Sequence, residues 1–174
     1  MGTLRTTNIQ HPDAASPNIV LTAGGGVTAA GLVTGKVLQV VRATDSTDRT
    51  TTSTSFVDIT GLTVTITPLL IDSKILILFS LPWVRITQAG ASGGAYIRVT
   101  DSAGTAISGG AQYASELLGG TRLSVPFSGF AYDTPGSLSA KTYKMQFMCT
   151  TSSTSITSFH NPGLGQIFAI EVAA

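Results

Sequence analysis

The side chains best suited to metal binding or covalent catalysis in this chain of 174 residues are two histidines, one cysteine and nine carboxylates. His11 and His160 lie about 150 positions apart, and neither belongs to the HxH or CxxC pairs that bring metal ligands together. Three copies of one histidine around an oligomer axis are the only remaining way to hold a metal. Cys149, in KMQFMCTT, has no histidine near it in sequence to draw off its proton, so it reads as a small core or edge filler and not a nucleophile. Standing alone, it excludes an intrachain disulfide and leaves the redox compartment open. Of the acids, Asp45, Asp48, Asp72, Asp101 and Asp133 fall in turns or loops. Glycosidic bond cleavage needs two carboxylates about 5 to 9 Å apart, and the one close pair, Asp45 with Asp48, reads as a solvated loop.

The glycines fail a phosphate-binding reading. Ala29 stands where GxGxxG needs its third glycine, and Gly35-Lys36 is followed by Val37 where a P-loop needs Ser or Thr. No serine-hydrolase elbow, a strand-to-helix turn built around GxSxG, is read. The expectation is a protein that is not an enzyme and uses no cofactor and no metal. Among aromatics, Trp83 follows Pro82 in the most apolar stretch and reads as a core or subunit-interface residue. Tyr113, in GGAQYASELLGG, is the candidate for an exposed surface contact, with a host glycan as the partner it would suit.

Composition narrows the class. Hydrophobic residues make up 43% and charged residues only 11%, against roughly 25% charged in an ordinary soluble domain. The longest apolar run, ILILFSLPWV from Ile75 to Val84, is about half the roughly 20 residues a membrane helix needs and contains Ser80 and Pro82, so no membrane insertion is expected. Arg5 is followed by no apolar stretch, and no secretory signal peptide is read. With a net charge of +1 and no Lys/Arg cluster, nucleic acid is not a partner. The remaining class is a β protein paved with Ser, Thr and Gly, part of whose apolar surface is covered by neighbouring subunits.

Two segments must position these residues. Residues 1–35, with Pro12, Pro17 and Gly24 to Gly26, form an arm that is expected to be extended and to have no stable sheet of its own. Its Ile9, Ile19, Val20 and Leu21 are the candidate docking anchors. Residues 36–174 read as successive strands. In LTVTITP, Leu62, Val64 and Ile66 alternate with threonines, so one face is buried and one wet. In SKILILFSLPWVRIT, Ile75, Ile77, Phe79 and Leu81 face one way and Leu76 and Leu78 the other. Both faces of that strand need cover, which makes Leu76, Leu78 and Trp83 candidate interface residues. Pro126 and Gly129 in RLSVPFSGFAYDT point to an edge or a bulge, and QYASELL is the best helix candidate. Eight to ten strands and hardly a helix predict an all-β fold, an antiparallel β-sandwich of jelly-roll type with an N-terminal arm.

The opening TLRTTNIQHPDAASPNIVL resembles the start of bacteriophage tail-fibre and appendage proteins, notably of marine and cyanobacterial phages. VLQVV, TSFVDITGLTVTITP, SKILI and the closing GQIFAIEVA are similar, in order, to a β module of the same virion proteins. The resemblance covers residues 4–81 and, loosely, the last strand. It implies a non-enzymatic virion component on a tail or capsid surface, usually a homotrimer, that docks onto other virion proteins through its arm. The chain has no long shaft, which favours a short spike, a tip or a capsid decoration over an extended fibre. A carbohydrate-binding sandwich module is the alternative outside the virion.

Overall fold

The computed structural model describes residues 8–9, 19–21, 27–29, 36–90, 92–119, 121–159 and 163–174. His11, His160 and Gly24 to Gly26 lie outside the described residues. Every described element is a strand. The arm contributes β1 (Asn8–Ile9), β2 (Ile19–Leu21) and β3 (Val27–Ala29). The body contributes β4 (Val37–Asp45), β5 (Arg49–Thr51), β6 (Val57–Ile66), β7 (Lys74–Gln88), β8 (Ser92–Thr100), β9 (Ala106–Leu118), β10 (Arg122–Asp133), β11 (Lys141–Cys149), β12 (Thr154–Phe159) and β13 (Gly165–Val172).

The arm is expected to have no stable sheet of its own, and its described residues form only short pairings. Its apolar islets pair locally as a three-stranded antiparallel sheet, β1-β2-β3, with Ile9 opposite Ile19 and Ile19 opposite Ala29. Strands of two or three residues close such a sheet at small loop cost, and a sheet that short has little stability of its own.

In the body, one sheet is β6-β11-β8-β9. In the other, β7 is central, flanked by β10 on one side and by β13 and β12 on the other. β12 covers Trp83 to Gln88 of β7, and β13 covers Lys74 to Ser80. Both run antiparallel to β7, so they are two halves of one interrupted strand. β4 pairs with β13 and β5 with β12, another interrupted strand. Merging the halves gives lane orders β4/5-β13/12-β7-β10 and β6-β11-β8-β9. In chain order these eight lanes alternate between the sheets except at the β8–β9 hairpin, the order of a jelly roll.

The interruptions line up. Asp45 pairs with Gly165, Gln166 with Ser80 and Phe127 with Leu81. On the far side, Arg49 pairs with Ser158, and Val84 with both Ser158 and Val125. Between those rows lie residues 46–48 and 163–164, Pro82-Trp83 and Pro126. Proline cannot donate to a ladder and is tolerated at such a break, which places both prolines on this transverse fault. The extra residue in β7 reverses its alternation, so Ile75, Ile77, Phe79 and Leu81 are buried before the fault, and Val84 and Ile86 after it.

Between the sheets, these residues meet Leu62, Val64 and Ile66 of β6, Ile97 and Val99 of β8, and Tyr143, Met145 and Phe147 of β11. Phe79 and Phe127 stack with centroids 6.0 Å apart. Cys149 is buried in this core. β6 runs through Thr60-Gly61 because Gly61 adopts φ +94°, and a Cβ there would meet the Asp45 carboxyl at 2.6 Å. Asp45 itself is held by Arg49 at 3.2 Å, so the candidate acid pair includes a structural anchor.

QYASELL is not a helix but the second half of β9. A stretch that short nucleates no stable helix alone, whereas β8 offers a backbone partner along its length, with Tyr113 opposite Tyr96 and Glu116 opposite Gly94. Ala114 then packs on the core.

Among the described residues, Glu171 is the one charged side chain that is fully buried. Its carboxylate accepts hydrogen bonds from the Leu69 and Leu70 amides at 2.7 and 3.2 Å and from Gln39 Nε2 at 2.6 Å. Gln39 Nε2 also donates to the Thr67 carbonyl at 2.7 Å. Burial pushes this carboxyl up, but the hydrogen bonds from Gln39, Ser73, Leu69 and Leu70 outweigh it and the net shift is downward. The loop from β6 to β7 is thereby pinned with Leu69 and Ile71 pointing outward, 60% and 62% exposed. Because the folded pKa lies below the unfolded one, this stabilisation is present above about pH 4.3 and is lost as pH falls through the folded value. Glu171→Gln should cost about 2–3 kcal/mol at neutral pH, the scale of hydrogen bonds to a charged group. Thermal melts between pH 7 and pH 3 should also show a shallower acid loss for the variant than for the wild type.

Candidate functional site: one apolar outer sheet face

The two outer faces of this sandwich differ in chemistry. On β6-β11-β8-β9, outward positions are Asp58, Thr63 and Thr65 of β6, Thr142, Lys144 and Gln146 of β11 and Arg98 of β8, with the pair Met148 and Tyr96 as apolar neighbours at one side. The polar side chains form a web. Lys144 Nζ meets Asp58 Oδ2 at 3.0 Å, Gln146 Nε2 donates to Asp58 Oδ1 at 2.7 Å, and Arg98 Nε donates to Gln146 Oε1 at 2.9 Å. The Thr65 and Thr142 hydroxyls bond at 2.8 Å. The hydrogen bond from Gln146, opposed by burial and aided by Lys144, holds the Asp58 carboxyl below the usual range. This is the ordinary surface of a solvated sheet.

The opposite face, on β4-β13-β7-β10, has no such web over its first half. Registers place Val40, Ile170, Leu76 and Tyr132 side by side in one row across the four strands. The next row is Arg42, Phe168, Leu78 and Phe130. The cation in it is not an exception, because the Arg42 guanidinium lies over the Phe168 ring, 5.4 Å from its centroid. Phe130 is 59% exposed, Val40 55% and Tyr132 47%. A third row, Thr44, Gln166, Ser80 and Ser128, is polar and borders the fault. Beyond it Trp83, 40% exposed, projects at the bulge. It lines a shallow depression of about 310 Å³ with Pro82, Ser124, Val125 and Pro126.

Leu76 and Leu78 thus lie together on this face, Leu76 half-buried and Leu78 exposed, and Trp83 stands about a row beyond it. Of the arm residues, Ile9 is exposed, Ile19 and Val20 are half-buried, and Leu21 is in β2. Tyr113 belongs to a strand and not to a loop. Val40, Phe130, Tyr132, Phe168 and Ile170 were not singled out by sequence reasoning. The alternation of Phe168 and Ile170 against Ile167 and Ala169 was visible, but the pairing that unites them with Leu78 and Phe130 is long-range.

Chemistry elsewhere is structural. A polar depression of about 600 Å³ lies between the β8–β9 turn and the β10–β11 loop, lined by Asp101, Tyr132, Asp133, Lys141 and Tyr143 among others. There Tyr143 donates to Asp133 Oδ2 at 2.7 Å, and burial, with that carboxylate, pushes the phenol up, so it stays protonated. Burial likewise pushes the Cys149 thiol up. Among the described residues no three of His, Cys, Asp and Glu gather to hold a metal, and no helix is long and apolar enough to cross a membrane.

No protein-family model matches this sequence, and no curated protein does. Among solved structures, the backbone is similar to a D431N mutant VP2 protein of infectious bursal disease virus from T=1 particles. That match has 16% identity and a TM-score of 0.36, covering 91% of this chain and 40% of that one. The Gx strain of the same virus gives 17% identity and a TM-score of 0.33 over 78% of this chain and 37% of that one. This chain therefore spans about two-fifths of the length of those proteins. A likeness of this degree assigns neither family nor function, and the jelly-roll order rests on the ladders themselves.

The wet face supplies a control for the apolar one. Lys144→Ala breaks an exposed ion pair and should lower stability by less than about 1 kcal/mol. In thermal melts and size-exclusion runs it should leave the fold and the assembly state unchanged.

Proposed function

We propose that this chain is a non-enzymatic structural subunit of a bacteriophage particle: a short homotrimeric spike or tail-fibre element that docks through its N-terminal arm. What carries the reading is the pairing of two features in one domain. A jelly roll, a fold used by capsid and lectin domains, has one wet outer face and one outer face too apolar for a solitary subunit. The resemblance of TLRTTNIQHPDAASPNIVL and VLQVV to tail-fibre proteins agrees with it.

In this reading the body assembles and the arm attaches. Ile9, Ile19, Val20 and Leu21 supply apolar anchors, and the short strands of the arm offer backbone edges to a partner's sheet. Loops at the far end of the domain, with the strand that carries Tyr113, are the surface left for a host glycan.

Deletion of residues 1–22 tests the attachment role. The expected product keeps the β-sheet circular dichroism and cooperative melting of the full chain but is missing from purified particles assembled in its presence. Incorporation at the wild-type level would refute the docking arm. A glycan array probed with the full chain should give saturable binding that weakens on Tyr113→Ala if the body also contacts the host.

A further inference from the structure

We infer that the outer face of β4-β13-β7-β10 is the surface on which a second copy of this chain packs, with Phe130, Leu78, Phe168 and Tyr132 at its centre. The inference deepens the proposed function, and it rests on the reading that the subunit works as an oligomer.

Three observations favour a like copy over another occupant. The first is chemistry. Two consecutive rows spanning four strands hold seven apolar or aromatic side chains and one arginine, which is stacked on a ring. Permanent interfaces between identical subunits are apolar in this way, whereas partners that meet after folding are met by more polar patches. A face of this kind must be covered soon after synthesis, and the partner present then is another copy of the same chain.

The second is size. Strands about 4.8 Å apart and same-face residues about 6.8 Å apart give the two rows and their polar neighbour a projected area of roughly 20 by 20 Å. That is about half of the roughly 800 Å² per partner in a standard interface, before side-chain relief is counted. Within that area the polar row of Thr44, Gln166, Ser80 and Ser128 is the rim, and Val37, 53% exposed on the other border, and Trp83, 40% exposed beyond the polar row, extend the surface toward the standard size.

The third is charge. The whole chain has a net charge of +1, so copies do not repel one another. Among the described residues of the two rows, a strongly charged partner would find Arg42, stacked on Phe168 and donating to Gln166 Oε1 at 2.9 Å, and Lys74 at the border.

The test is sedimentation and light scattering of the purified full chain at tens of micromolar, alongside the double variant Leu78→Lys/Phe130→Lys. The expected result is a multiple of the chain mass for the wild type and a single-chain mass for the variant, with β-sheet circular dichroism retained. A folded variant with the mass and affinity of the wild type overturns this inference and leaves the oligomeric reading standing. A wild type that is a single chain overturns both. Should the lysine pair fail to fold, Phe130→Ser/Tyr132→Ser removes apolar area without adding charge. It should weaken self-association at least tenfold, and unchanged association overturns the inference.

Discussion

The central strand Lys74–Gln88 carries apolar side chains on both of its faces, and the rest of the molecule is arranged around covering them. Its inward set, Ile75, Ile77, Phe79, Leu81, Val84 and Ile86, is sealed by the facing sheet, and none of them exceeds 2% exposure. Its outward set, Leu76 and Leu78, gathers apolar neighbours from β4, β13 and β10 into a continuous face on which Leu78, Phe130 and Tyr132 stay exposed among the described residues. Burial of apolar area is worth roughly 25 cal/mol per Å². In the proposed assembly, one sealed and one open apolar face would let the same effect drive both folding and association.

The transverse fault allows so long a strand to serve one sandwich. A bulge at Pro82-Trp83, opposite Pro126 and beside the breaks in the two flanking lanes, bends the sheet in one line and preserves inward burial on both sides. It also divides the outer surface. Before the fault lie the two apolar rows; at the fault lie the polar row and the exposed indole. The buried Glu171 acts at the other end, where its carboxylate fixes the β6–β7 loop through two backbone amides and Gln39.

Much of this was legible in the sequence, and what was not has a physical cause. The alternation of Leu62, Val64 and Ile66 with threonines gave the wet face of β6, and the double-sided apolarity of Ile75 to Leu81 identified the strand that needs cover twice. Pro126 marked a bulge. What local pattern could not supply was which strands lie beside β7, because Phe130 and Phe168 are brought to Leu78 by ladders spanning dozens of residues. QYASELL misled because helix propensity is a weak local bias that a waiting strand partner overrides. The arm's islets are too short to read as strands alone, and among the described residues they pair with each other.

The most direct test of the account is hydroxyl-radical footprinting of the purified, assembled protein, comparing aromatic residues on the two outer faces. Tyr96, on the wet face, is 37% exposed in the single chain, and Tyr132 and Phe130 are 47% and 59% exposed. If a second copy covers the apolar face, Tyr132 and Phe130 should oxidise several-fold more slowly than Tyr96 despite their greater exposure in the isolated subunit. Oxidation of Tyr132 and Phe130 at or above the rate of Tyr96 would show that face open to water and contradict the account.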